Sequence, residues 1–118
     1  MTDFGLATVT ALRPVTYEAT PESLPRIGAG THVGLVAQEV QTIFPYAVSA
    51  DQDEQKTLTI DYIKIVPVMI NAIKELSAEN TALKTQLAAM EQSLATATAN
   101  VSSLDARLAA LEAKLNSQ

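Results

Sequence analysis

The sequence predicts an α+β fold, in which a small head of short strands and helices precedes a long C-terminal helix that forms a parallel trimeric coiled coil. Short apolar runs separated by proline, glycine and polar residues fill the first half of the chain. An unbroken heptad repeat fills the last third, and opposite charges flank it. We therefore divide the chain into a globular head, residues 1–65, and a coiled-coil trimerisation helix, residues 66–118.

Composition argues against several classes of function. The 118 residues carry a net charge of −5, whereas nucleic-acid binding requires a basic surface. Cysteine is absent and histidine occurs once, so the sequence offers neither a disulfide framework nor a Cys/His metal site. No apolar run is long enough to span a bilayer. We therefore expect no cofactor, no metal, and neither a nucleic-acid nor a membrane partner.

The first part of the head predicts one strand and one loop. Residues 1–11 are mildly apolar and fit either a short helix or an irregular lead-in. Residues 12–18 predict a strand, with Pro14 at its start or on an edge, where no backbone donor is needed. Residues 20–31 contain two prolines and two glycines and predict a loop.

The second part of the head predicts a helix and a hairpin. Residues 33–44 place apolar side chains on one helical face, and Pro45 ends that helix. Residues 47–49 and 56–60 flank a polar turn and predict the two strands of a hairpin.

The heptad segment predicts one helix from Val66 to about Leu115. Asp61 is a good N-cap, since its carboxylate can accept from free N–H groups of the first turn. Pro67 predicts either a kink or a fresh helix start at about Val66. The uncharged stretch 94–103 leaves open a flexible linker or a break between two coils. We favour an unbroken helix, because the apolar spacing keeps its register there.

The core positions of the repeat alternate in spacing between four and three residues, which specifies a left-handed coiled coil. A single helix cannot bury such a stripe against itself, so we expect an oligomer. The core positions are Met69, Ile73, Leu76, Asn80, Leu83, Leu87, Met90, Leu94, Ala97, Val101, Leu104, Leu108, Leu111 and Leu115.

The charges beside the repeat favour three parallel chains. With Ile73 at position a, Glu79 and Arg107 fall at g, and Lys84 and Glu112 fall at the following e. Such pairs set the register of parallel coils. The run Arg107–Glu112 also resembles a short trimerisation motif, although a chance arrangement is the alternative. We assign the trimer interface to the core positions from Ile73 to Leu115 other than Ala97, together with Arg107 and Glu112. Asn80 at a would penalise wrong registers.

Isolated polar residues give weak chemical signals. His32 has no Ser or Cys partner at a recognisable spacing, so a solvent-facing or hydrogen-bonding role is favoured. The acidic run 51–54 lacks the ligand spacing of a calcium loop, which favours an exposed turn. Gln38 and Glu39 could act as acid or base, but capping or inter-chain hydrogen bonding is favoured.

Five short segments occur in an order that resembles a known family. They are residues 12–17, 33–40 (Val-Gly-Leu-Val-Ala-Gln-Glu-Val), 44–45 (Phe-Pro), 60–62 (Ile-Asp-Tyr) and 72–76 (Ala-Ile-Lys-Glu-Leu). Together they resemble the C-terminal intramolecular chaperone domain of phage endosialidases, tail spikes and tail fibres. The residues that match the family motif are Gly34, Gln38, Glu39, Pro45, Asp61 and Tyr62.

The resemblance implies a function and partners. Such domains trimerise and set the register in which an upstream fibre or spike polypeptide folds. The implied partners are two further copies of the chain and that upstream polypeptide. The implied location is the host cytoplasm during phage assembly, or the virion tail if the domain is retained. The competing hypothesis is a retained structural or receptor-binding tip, and a small hydrolase is a weak third.

The resemblance also raises the question of self-cleavage. Many members cut themselves with a Ser-Lys dyad in an upstream Ser-Asp-x-x-Leu-Lys segment. Here no serine precedes Ser23 and no lysine precedes Lys56, while Thr2-Asp3 is an echo of the motif with Ala7 at its lysine position. We therefore expect no catalytic residues. Either the chain begins after a cleavage site or this homologue does not cut.

The resemblance is strongest between Gly34 and Phe44, so we expect this segment to make inter-chain contacts. Gly34 should allow a close backbone approach, or a φ that other residues resist. Gln38 and Glu39 should be at least partly buried and hydrogen-bonded.

Overall fold

A computed structural model describes residues 4–118 and confirms an α+β chain with a small head and a long C-terminal helix. Thr2 and Asp3, the echo of the cleavage motif, lie outside the described residues. The elements are α1 (Leu6–Ala11), β1 (Val15–Glu18), α2 (Leu24–Ile27), β2 (Thr31–Gly34), α3 (Ala37–Ile43), a 3₁₀ turn (Pro45–Ala47), β3 (Val48–Ala50), β4 (Leu58–Ile60), a second 3₁₀ turn (Tyr62–Lys64) and α4 (Ile65–Asn116).

Within residues 4–118, two antiparallel strand pairs form the β structure of the head. β3 and β4 pair with Val48 opposite Ile60, which confirms the predicted hairpin. β1 and β2 pair with Val15 opposite Gly34. The sequence predicts neither α2 nor β2: the loop predicted for residues 20–31 contains the short helix Leu24–Ile27, and β2 replaces the predicted helix start at Val33. The helix begins only at Ala37, since Val33 and Gly34 pair with a strand that lies distant in sequence.

The beginning of α4 follows from its capping residues. The Asp61 carboxylate accepts from the backbone N–H of Ile63 (3.1 Å), which confirms the predicted cap, although a 3₁₀ turn comes first. Pro67 stands in the first turn of α4, where backbone N–H groups have no partner within the helix, so proline is accommodated there. α4 continues through residues 94–103, and the alternative of a linker or break is therefore wrong.

The apolar core of the head lies between α3 and the start of α4. Its buried residues are Val40, Phe44, Ala47, Ile65 and Val68, and Ala72 is also buried. The chain divides into two compact units between Ser77 and Ala78, so the first turns of α4 pack with the head. The functional division at residue 65 stays a prediction.

Among residues 4–118, no helix combines the length and the apolar character that crossing a membrane would require.

Candidate functional site

The heptad core positions are exposed in the single chain. In the head unit, Met69, Ile73 and Leu76 are 42%, 67% and 53% exposed. In the second unit every residue is exposed, and its apolar core positions include Leu115 at 70%. Large apolar side chains in a contiguous exposed stripe are the usual mark of a protein–protein surface. Their assignment to a trimer interface stays a prediction.

The polar residues of the predicted interface also lie on α4. Asn80, Arg107 and Glu112 are exposed, and within the described part of one chain Arg107 and Glu112 form no ion pair with each other. Their side chains are thus available to a neighbouring helix.

The family-motif residues Gly34 and Tyr62 meet in the head. The backbone N–H of Leu35 donates to the Tyr62 hydroxyl at 3.0 Å. A Cβ placed on Gly34 would lie 3.0 Å from that hydroxyl oxygen and 3.2 Å from Cε1 of Tyr17. The expected close approach at Gly34 is therefore confirmed. Glycine is needed for space, since the positive φ angles among glycines belong to Gly28 and Gly30.

Pro45 and Asp61 hold the other end of the motif. Pro45 begins the 3₁₀ turn that follows α3, and the carbonyl of Ala47 in that turn accepts from the backbone N–H of Asp61 at 2.7 Å. Asp61 thus ties the hairpin to the 3₁₀ turn while its carboxylate caps Ile63. Hydrogen bonds at both ends of α3, from Leu35 to Tyr62 and from Asp61 to Ala47, thus connect this part of the head to the segment before α4.

The two polar residues in the middle of the motif differ in their surroundings. The Glu39 carboxylate is paired with the guanidinium of Arg13, and the Glu39 side chain is 39% exposed. The hydrogen bond and the charge of Glu39 raise the pKa of Arg13 above its ordinary value. Gln38 is exposed in the single chain, because it lies on the outer face of α3, whose inner face carries Val40. Its burial, which we expect in contacts between chains, stays a prediction.

The N-terminal segment is anchored directly on α4, which the sequence did not predict. The Leu6 backbone N–H donates to Oε2 of Glu75 at 2.9 Å, and Nδ2 of Asn71 donates to the carbonyl of Phe4 at 3.1 Å. Gly5 is buried beside Glu75, where a Cβ would lie 1.9 Å from Oε1. The only signal for this contact was the presence of Glu75 in the family-like segment 72–76.

An apolar groove opens on the head beside the first turns of α4, with a volume of about 510 Å³. Apolar residues dominate its lining, and the polar group of Tyr62 already accepts from Leu35. The lining residues are Val9, Leu12, Pro14, Val33, Gly34, Leu35, Tyr62, Ile65, Val66 and Met69.

The remaining polar candidates have structural surroundings. Nε2 of His32 lies 3.2 Å from the carbonyl of Gly28, as expected for a hydrogen-bonding histidine. Asp53 accepts from the backbone N–H of Thr57 at 2.8 Å within an exposed turn. Hydrogen bonds from the hydroxyl and backbone of Thr57 lower the pKa of Asp53. Among the described residues, no three His, Cys, Asp or Glu side chains gather as metal ligands would.

Residues 1–49 match the sequence model of a family described as chaperone of endosialidase, whose name also classes it among peptidases. The resemblance to the intramolecular chaperone domain of phage tail proteins is thereby confirmed, and the matched stretch contains the motif from Gly34 to Pro45. The segments at 60–62 and 72–76 lie beyond it. The match indicates a chaperone-type function in a phage-tail context. No curated protein matches the chain significantly.

Proposed function

We propose that the chain is an intramolecular chaperone that forms a parallel homotrimer and sets the register in which an upstream phage tail fibre or tail spike folds. The family match supports the chaperone class. The exposed stripe on α4 carries the proposal of assembly, because from Ile73 onward the chain buries none of its own residues.

An unpaired helix of this kind lacks a source of stability. In globular proteins, most helical stability comes from packing of an amphipathic face rather than from helix propensity. Each Leu of the stripe would contribute about 1.5–3 kcal/mol if a partner removed it fully from water. Three copies in register supply that partner for one another.

The flanking charges favour a parallel arrangement. In a parallel coil each g residue faces the e residue five positions later on the neighbouring chain, which pairs Glu79 with Lys84 and Arg107 with Glu112. These exposed pairs contribute little energy, about 0.2–1 kcal/mol each. Their effect is on register, and the Arg107–Glu112 motif selects three chains.

The anchored N-terminal segment supports a mechanism by which such a trimer would act on an upstream polypeptide. Through Asn71 and Glu75, the chain entering the head at Phe4 is attached to the helix that trimerises. Three upstream chains would then begin at equivalent points. Tethering turns their association into an intramolecular event, with an effective concentration of about the mM range. Tethering thereby offsets part of the entropic cost of bringing distant segments together, which slows the folding of intertwined β structures.

The chain itself is proposed not to cleave peptide bonds. The hydroxyl of Ser23 donates to the carbonyl of Thr20 at 3.0 Å. The sequence has no lysine upstream of Lys56 that could serve as the base. A serine-directed covalent probe should leave the chain unlabelled. Stoichiometric labelling of Ser23 or Ser49 would overturn this part of the proposal.

Light scattering and a folding assay test the function. At micromolar concentration the chain should have the mass of three copies, and a monomer or antiparallel dimer would contradict the proposal. Fused behind a trimeric β-rich fibre segment, it should raise the yield of folded fibre. If the fibre folds equally well without it, while substitutions within residues 20–31 abolish host binding, the chain is instead a receptor-binding tip.

A further inference from the structure

The apolar groove of the head lies where the heptad register would bring a neighbouring helix. Val66 and Met69, two of its lining residues, occupy positions a and d when the repeat is extended upstream from Ile73. Ile65, which also lines the groove, occupies the adjacent position g. The groove is thus the upstream continuation of the exposed stripe, on its g side.

The e position of α4 that lies beside the groove is apolar, whereas the e positions further along the helix are polar. In a parallel coil, e of one chain faces g of the next, and the residue that faces Ile65 is Ile70. Ile70 is 49% exposed in the single chain. Every later e position on α4 is polar: Ser77, Lys84, Glu91, Thr98, Asp105 and Glu112. The single apolar e residue of α4 therefore falls opposite the apolar groove.

We propose that the groove is a docking site for a second copy of this chain, whose Ile70 side chain enters it beside Ile65. The inference rests on the proposed parallel trimer and adds head-to-helix contacts to it. Each head would pack against the first turns of its neighbour's α4, so that the three heads would have a fixed arrangement around the trimer axis. The groove is incomplete without the neighbouring copy.

The chemistry of the groove favours this occupant over a small ligand. Ligand pockets usually present a few polar groups that orient what they bind. Here the lining is apolar apart from Tyr62 and backbone, and the Tyr62 hydroxyl is held by the Leu35 N–H. An aliphatic side chain presented by a helix needs no such polar partners.

Paired cysteines test the contact directly, because the natural chain contains none. Val33 lines the groove and is 72% exposed. Mild oxidation of a Val33→Cys/Ile70→Cys variant should give covalent trimers on non-reducing gels. In the control Ile27→Cys/Ile70→Cys, covalent trimers should not form, since Ile27 is exposed on the head but does not line the groove.

A second pair separates this inference from the proposed function. The Arg107→Cys/Glu112→Cys variant places cysteines at a g position and the following e position near the C-terminal end of α4. These cysteines should link neighbouring chains into covalent trimers if the coil is parallel and in register. If this pair links and the Val33/Ile70 pair does not, the groove is not the docking site and the trimer stands. If neither links and the chain is monomeric, the proposed function fails with it.

Substitution at Ile70 gives an independent measure. Ile70→Ser should raise the concentration at which half of the trimer dissociates by about tenfold or more, because it removes an apolar anchor from each contact. Ile27→Ser should leave that concentration unchanged. Equal effects of the two variants would overturn the proposal. The proposal would also be overturned if the assembled trimer bound a fluorescent apolar probe and the Val33→Lys variant did not, because the groove would then be unoccupied in the trimer.

Discussion

In the head, apolar side chains from α3 and the start of α4 bury one another, whereas from Ile73 onward every side chain of the chain is exposed. Side chains also hold the backbone of the head through hydrogen bonds. The Tyr62 hydroxyl accepts from the N–H of Leu35, and the Glu75 carboxylate accepts from the N–H of Leu6. The downstream helix has its own backbone hydrogen bonds and a stripe of apolar residues.

This difference shows which part of the molecule depends on copies of itself. Among the described residues of the head, no buried side-chain polar atom lacks a hydrogen-bond partner. Its core is nevertheless small, and small domains are marginal in stability. The downstream helix has no core until another chain provides one. Substitutions in the two regions should therefore be distinguishable by how strongly their effects depend on protein concentration.

The largest effect should come from Leu108→Asp in the downstream helix. In a trimer it would place three carboxylates in an apolar seam, where unpaired burial costs on the order of several kcal/mol each. We expect loss of the trimer by sedimentation and a concentration-independent melt of the remaining structure by circular dichroism. The matched control is Ala109→Asp, because Ala109 directly follows Leu108 and is not a core position of the repeat. A melting temperature equal to that of the parent would show that the assigned register is wrong.

The next effect should come from Gly34→Ala in the head. The added methyl would meet the Tyr62 hydroxyl at 3.0 Å and Tyr17 at 3.2 Å, so neighbouring side chains must shift. Overpacking of this kind costs about 1–3 kcal/mol. Urea unfolding should show that loss. In a Tyr62→Phe background the loss should be smaller, and an undiminished loss there would assign the clash to Tyr17 instead.

These two regions also differ in how far the sequence predicted them. The heptad spacing predicted the course of α4 and its end to within about a residue, because a repeat is a local signal with one period throughout. Asp61 and Pro67 predicted its beginning, since caps and prolines act within one turn.

Non-local contacts were the part that local patterns could not predict. β2 was missed because its pairing with β1 depends on a partner distant in sequence. The anchoring of Leu6 by Glu75 was missed for the same reason. The resemblance did place Gly34 and Tyr62 in one motif, and the structure supplies the physical reason in the shared contact at Leu35. Gln38 faces outward on α3 in the single chain, so its expected burial depends on a second copy and stays a prediction.

A smaller effect is expected for Glu39→Ala. Its partner Arg13 has a side chain that is 65% exposed, and exposed ion pairs change equilibria by less than about fivefold. The yield of a fused fibre fragment should therefore fall only slightly, and Arg13→Ala should have the same effect. The double variant should be no worse than either single one. A large loss with Glu39→Ala alone would place Glu39 in an inter-chain contact beyond its pairing with Arg13.

The smallest effect should be the pH dependence contributed by Asp53 in the β3–β4 turn. Hydrogen bonds from the hydroxyl and backbone N–H of Thr57 lower its pKa in the folded chain. A carboxyl group with a lowered folded-state pKa contributes stability that is present above its unfolded value, about 3.9, and is lost as the pH falls through the folded value. The difference in unfolding free energy between the natural chain and Asp53→Ala should thus be constant near neutral pH and shrink below about pH 4. Glu54→Ala, in the same turn, serves as the control. A difference that grew on acidification would mean that the folded turn binds the proton more tightly than the unfolded chain does.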